Sequence, residues 1–201
     1  MKFLNITFFL LITVIGFAQT NEEIIESIKK YQADENEKFR NKETTILDSL
    51  DLLTFTSLEF YEIDLQYRVE AKLTRTPNAK PFLMKTSTDR LPEYVQYAIA
   101  EFTISGKDLK LNIYKSTRPI EEPEDDYVFL PFTDLTSGDG SYGGGRYLEL
   151  DVPEGETMII DFNMAYNPYC SYSHRYSCPV PPKENDLLVR VEAGVKDYGK
   201  H

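Results

Sequence analysis

The chain has no tryptophan, only two cysteines and two histidines, and ten glycines in 201 residues. Two cysteines exclude a disulfide-dense scaffold. The histidines are His174 and His201. His201 is the last residue, in a tail of the kind that frays. No Ser-His-Asp or Cys-His constellation assembles from so few bases, and no G-x-S-x-G elbow is present. Cations are also in deficit. Lys and Arg number 22 against 33 Asp and Glu, a formal charge of −11. That balance argues against nucleic acid or an anionic membrane surface as a partner. An acidic run of Glu121, Glu122, Glu124, Asp125 and Asp126 around Pro123 has no glycine. A calcium loop alternates its carboxylates around a glycine turn, so the run reads as a solvated loop.

Hydrophobic residues make up 41% of the chain and charged ones 27%. That suffices for one domain with a real core. Tyrosine (14) and phenylalanine (12) favour aromatic-rich strands over a helical bundle. The first eighteen residues read as a secretory leader. Lys2 gives the positive start, residues 8–17 are mostly apolar, and Gly16 and Ala18 put small residues at −3 and −1. Gln19 to Glu23 end the apolar run short of the about 20 residues that a membrane span needs. The expectation is an exported protein, periplasmic or extracellular, with no membrane span after cleavage. Export is also the setting in which two cysteines pair.

Thr20 followed by Glu23 is a capping box, and Ile24, Ile28, Tyr31 and Phe39 fall on one helical face. Residues 46–55 read as a short second helix or connector. The period then changes. From Tyr61 to Leu73, apolar residues alternate with polar ones, the pattern of a half-buried strand. Residues 95–104 and 109–114 form a hairpin across Ser105 to Asp108, and further strands are predicted over 127–132, 147–152, 157–164 and 187–193. The predicted fold is mainly β. It is a single antiparallel β-sandwich or partly open barrel of about seven strands with an N-terminal helix. The predicted layout is a leader at 1–18, a helical segment at 19–55, a β-domain at 56–197 and a tail at 198–201.

Two segments are chemically unusual. Residues 132–147 hold five of the ten glycines, and Gly138, Gly140 and Gly143 spell G-x-G-x-x-G. A dinucleotide loop follows a strand and opens a helix. This one runs into the strand-like Tyr147-Leu148-Glu149-Leu150-Asp151. It reads either as a glycine-permitted bend or as a concavity of backbone N–H groups beside Arg146 that holds an anion. In residues 161–185, Cys170 and Cys178 admit three readings. A disulfide is the default in an exported chain. Zinc would use Cys170, His174 and Cys178 with Asp161 as a fourth ligand, a thin set with one histidine. A redox pair lacks the short C-x-x-C spacing. No metal or cofactor is assigned.

The strings FTDLTSGDGSYGGGRYLELD (132–151) and DFNMAYNPYCSYSHRYSCPVPPKEN (161–185) resemble the DUF 1684 family, a domain of unknown function. The resemblance extends more weakly through YEIDLQYRVEAKL and to Ala193-Gly194-Val195-Lys196, about residues 45–197 in all. It implies that Asp134, Thr136, Tyr142, Gly143, Gly144, Gly145, Arg146, Asp161, Asn163, Tyr166, Asn167, Pro168, Cys170, Cys178, Pro179 and Glu184 belong to a family signature, and His174 does not. It implies no activity, substrate or cofactor.

Three functional readings follow. In the first, Arg146 and loop N–H groups hold a small polar or anionic ligand. Tyr142, Tyr166 and Tyr169 wall the pocket, and Gly143, Gly144, Asp134, Asn163 and Asn167 complete it. In the second, a hydrolase or lyase-like enzyme uses Asp161 or Glu184 as general base and Arg146 as electrostatic stabiliser. In the third, the same residues maintain the loop structure, with Arg146, Asp161 and Asn163 as a satisfied buried network.

Overall fold

The computed structural model describes residues 19–119, 121–122 and 126–199. The leader expected over 1–18, residues 123–125 of the acidic run and the last two residues of the tail lie outside the described residues. Among the described residues, no helix is long and apolar enough to cross a membrane.

Helix α1 spans Asn21–Arg40 and opens on the expected capping box. The Glu23 N–H donates to Thr20 Oγ1 at 3.2 Å, and the Thr20 N–H donates to the Glu23 carboxylate at 2.8 Å. Ile28 and Phe39 are its buried residues. Its polar surface is also used. Asn36 Oδ1 accepts the Leu58 N–H at 2.7 Å, and the Arg40 guanidinium donates to Thr56 O. These bonds pin the chain that follows α2 (Ser49–Thr54) back onto α1.

Among the described residues, eight strands form one curled, half-barrel sheet: β1 (Arg68–Arg75), β2 (Phe82–Leu83), β3 (Glu93–Ile104), β4 (Lys107–Ser116), β5 (Tyr127–Asp134), β6 (Arg146–Asp151), β7 (Thr157–Asp161) and β8 (Asp186–Leu187). The main order is β6-β5-β4-β3-β1-β7, all antiparallel, with β2 on β3 and β8 beside β5. The barrel option of the predicted fold is therefore the observed one. Ser105 and Gly106 both have positive φ, the turn geometry that matches the twist of β3 and β4. Inward residues alternate along each strand, and Val69, Ala71, Leu73, Phe102, Ile104, Leu111, Ile113, Val128, Leu130 and Phe132 build the core. Burial of each larger side chain contributes about 1.5–3 kcal/mol.

Three predicted strands are shorter than their patterns. Residues 61–67 are not strand; β1 begins at Arg68. Asp64 accepts from the Gln66 N–H and turns residues 65–67 into a 3-10 turn, and Asn163 takes both backbone groups of Asp64 at 3.0 Å. A side chain thus occupies the hydrogen bonds a neighbouring strand would need. β7 stops at Asp161 for a parallel reason, because the Asp161 carboxylate accepts the Asn163 N–H and starts a second 3-10 turn. The segment predicted over 187–193 is strand only at Asp186–Leu187 and runs parallel to β5. Val189, Val191 and Ala193 are buried as the alternation required, but their backbone partners are mostly side chains, described below.

The glycine-rich connection between β5 and β6 is a bend. Gly145 has φ +88°, and a Cβ there would lie 2.5 Å from Phe132 O and 2.8 Å from Pro181 Cγ. Gly145→Ala should lower stability by at least about 1 kcal/mol in urea unfolding. Gly155→Ala, whose added Cβ meets nothing nearer than 3.9 Å, should be close to neutral.

Candidate functional site

Arg146 opens β6 with its side chain turned into the protein, where it has no solvent exposure. Its Nη2 donates to Asp134 Oδ1 at 3.3 Å and to Val191 O at 2.8 Å. Its Nη1 donates to Ala193 O and, at 3.4 Å, to Val195 O. The guanidinium also lies 5.4 Å from the Phe132 ring centroid. Asp134, at the end of β5, is saturated in turn. Its oxygens accept Thr136 Oγ1 at 2.8 and 3.0 Å and the Val191 N–H at 2.6 Å. Thr136 Oγ1 is shared with Ser141 Oγ at 2.8 Å, which ties the carboxylate into the glycine loop. Burial lowers the pKa of Arg146, and the neighbouring Asp134 opposes that shift.

The anion beside the glycine loop is therefore the protein's own Asp134. Arg146 is corrected from ligand group to internal clamp, and its carboxylate partner is Asp134 rather than Asp161. The other predicted ligand residues disperse. Gly143 and Gly144 are exposed, and the Tyr142 ring covers Gly144. Asn163 is consumed by Asp64 and Asp161. Asn167 donates to Lys196 O at 2.9 Å and to Tyr172 Oη at 3.3 Å. Glu184 is exposed on a 3-10 turn. Asp161 pairs with Arg68 at 3.4 Å. Burial nevertheless raises its carboxyl pKa, outweighing the Asn163 hydrogen bonds and Arg68. The glycine loop and the cysteine segment do meet. Tyr147 and Tyr166 exchange backbone hydrogen bonds at 2.9 and 3.1 Å, and Tyr142 Oη lies 4.0 Å from Cys170 Sγ. Cys170 and Cys178, expected as a disulfide, stand here as neighbouring thiols. Among the described residues, no three His, Cys, Asp or Glu side chains gather as metal ligands would.

A cleft lies elsewhere. It has a volume of about 590 Å³, and β6 and β7, the two ends of the main strand order, both line it. Tyr147, Leu148, Glu149 and Leu150 come from β6, Ile159 and Asp161 from β7, Phe129 from β5 and Tyr94 from β3. Helix α1 adds Tyr31, Glu35 and Lys38. Asp161, Tyr166, Tyr169 and Cys178 are the predicted site residues that reach it. The aromatic wall is packed edge to face: Phe129 and Tyr147 have ring centroids 4.8 Å apart, and Tyr147 and Tyr166 5.8 Å. Tyr147 Oη donates to Pro179 O. Three guanidiniums border the cavity, those of Arg68, Arg90 and Arg118. Arg90 is held by Ser177, with Nε 3.1 Å from its Oγ and Nη2 2.6 Å from its carbonyl. Arg90 and Arg118 both pull the Tyr94 pKa down, although burial raises it more. Glu149 retains solvent contact but is crowded by protein. That burial pushes its carboxyl pKa up, against a hydrogen bond to Tyr166.

The sequence reading missed Arg68, Arg90, Arg118, Tyr94 and Glu149. One signal pointed to their wall. Residues 127–132 are apolar on both faces, as in a strand covered on both sides. Phe129 faces the cleft while Val128 and Leu130 face the core.

The family described as "Protein of unknown function (DUF1684)" matches residues 53–196. The chain belongs to that family. The DUF1684 match contains the Asp134/Arg146 clamp and most of the cleft, while Tyr31, Glu35 and Lys38 of α1 precede it. The chain is also similar to the solution NMR structure of an uncharacterized protein from Haloarcula marismortui. The two are 29% identical over 90% of this chain and 97% of that one, with a TM-score of 0.69. No curated protein matches the chain.

Replacing Asp134 or Arg146 alone by Ala strands a buried charge and should cost about 3–5 kcal/mol of stability. Combining both replacements should cost less than the sum of the two. Urea unfolding of the four proteins checks both statements.

Proposed function

We propose that this DUF1684 protein is a binding module for a small organic anion with a ring-shaped or apolar body, held in the cleft between β6, β7 and α1. The observation that carries the reading is the combination in one cavity of about 590 Å³ of a tyrosine-rich wall with the guanidiniums of Arg90 and Arg118 at Tyr94. Packed aromatic edges supply the flat apolar contact, and guanidiniums supply charge-assisted hydrogen bonds to carboxylate, sulfate or phosphate. The anionic ligand of the sequence reading is kept, but its seat moves from Arg146 to this cavity. A carboxylate-dependent enzyme built on Arg146 loses its electrostatic partner, since both Nη groups of that buried guanidinium are bonded inside the protein. Export, suggested by the leader-like first eighteen residues, suits a module that captures small molecules outside the cytoplasm.

The test uses anilinonaphthalene sulfonate, a flat aromatic body with one anionic group. The folded protein should bind it with saturable enhancement of fluorescence. Replacing Arg90 and Arg118 together by Ala should weaken binding by at least about tenfold, the worth of one charge-assisted hydrogen bond, with the circular dichroism spectrum of the folded protein retained. Equal binding by the double variant would move the site away from this cleft.

A further inference from the structure

Cys170 and Cys178 are free thiols that lie side by side. The loop between Pro168 and Pro179 holds them together. The Cys170 N–H donates to Cys178 Sγ at 3.1 Å. The Cys178 end is anchored from across the chain. Its N–H donates to Ser87 Oγ at 3.1 Å, and its carbonyl accepts the Ser87 N–H at 2.8 Å. Cys178 is 8% exposed and Cys170 is only partly buried, so Cys170 is the more accessible of the two. The Tyr142 hydroxyl stands 4.0 Å from Cys170 Sγ. A hydrogen-bond donor beside a sulfur stabilises its thiolate.

We propose that Cys170 and Cys178 form a thiol–disulfide exchange site, with Cys170 as the attacking thiol and Cys178 as the resolving one. The oxidant is a small exogenous disulfide. The Cys170 thiolate attacks one of its sulfurs, a mixed disulfide forms on Cys170, and one thiolate leaves. Cys178 then gives up its proton to solvent and attacks Cys170 Sγ. The internal disulfide forms and the second thiolate leaves, so two protein thiols are oxidised as one exogenous disulfide is reduced to two thiols. The electrostatics follow the same polarity. The Cys178 hydrogen bond, against burial, pulls the Cys170 pKa down to about 6, while the hydrogen bond to Cys170 and burial push Cys178 up. Cys178 lines the cleft wall, but the exchange needs no ligand there and stands apart from the binding proposal.

The experiment treats the reduced full chain with dithiobis(nitrobenzoate), an aryl disulfide, and follows the thiolate released. The wild type should release two equivalents and end as the internal disulfide, seen by mass. Cys178→Ser should stop at a mixed disulfide on Cys170. Cys170→Ser should react at least about tenfold more slowly. The initial rate of the wild type should rise with pH around a midpoint near 6, well below the about 8.5 of a free thiol. Peptide mapping of the first adduct in the wild type locates the attacking sulfur without any variant. A first adduct on Cys178, a wild type that keeps its mixed disulfide, or a midpoint near the free-thiol value would each overturn the assignment.

Discussion

The structure depends on one buried ion pair that does the work of a missing strand. Residues 189–195 lie over the core with Val189, Val191, Ala193 and Val195 inward. They have no continuous strand partner. Asp134 accepts the Val191 N–H, and Arg146 donates to the carbonyls of Val191, Ala193 and Val195. A guanidinium is suited to this because its fork of donors reaches several carbonyls at once and stays charged. Desolvating two charges is expensive, and it is tolerated here because both ends are also hydrogen-bonded to backbone and to Thr136. The pair therefore couples three distant stretches: the end of β5, the start of β6 and the C-terminal segment.

That coupling also shapes the surface. With Arg146 turned inward, the glycine loop folds onto its own carboxylate through Thr136 and Ser141. The open cavity forms instead where the curled sheet leaves β6 and β7 as the two ends of its strand order. α1 covers part of that gap with Tyr31, Glu35 and Lys38. An exposed strand edge is a hazard for edge-to-edge pairing, and at the start of β6 the bridge between Tyr147 and Tyr166 occupies part of it. Closure of the edge and construction of the cleft are thus one arrangement.

Much of the fold was legible in the sequence, and the failures have a common cause. The capping box at Thr20 and Glu23, the hairpin at Ser105 and Gly106 and the alternation in β1 are local signals, and the structure follows them. The overextended strands at 61–67 and 188–193 kept their alternating burial in part while losing the ladder, and at 162–164 both Phe162 and Asn163 are buried as the ladder ends. In each case Asp64, Asn163, Asp161, Asp134 or Arg146 took the backbone groups. Hydrophobic period reports which side chains face inward; it does not report what bonds the backbone. The candidate site was less legible. Signature residues such as Asp134, Thr136, Arg146, Asp161 and Asn163 bond to one another or to the main chain, and such polar residues serve loop construction as readily as ligand contact. Arg68, Arg90 and Arg118 come from separate parts of the chain and carry no local motif.

Hydrogen exchange at the Val191 amide, followed by NMR, tests the clamp most directly. If the Asp134/Arg146 pair substitutes for a strand, this amide opens only with global unfolding and matches the protection of the β3 and β4 core amides. Exchange of Val191 through a low-energy local opening, while β3 and β4 stay protected, would contradict the account.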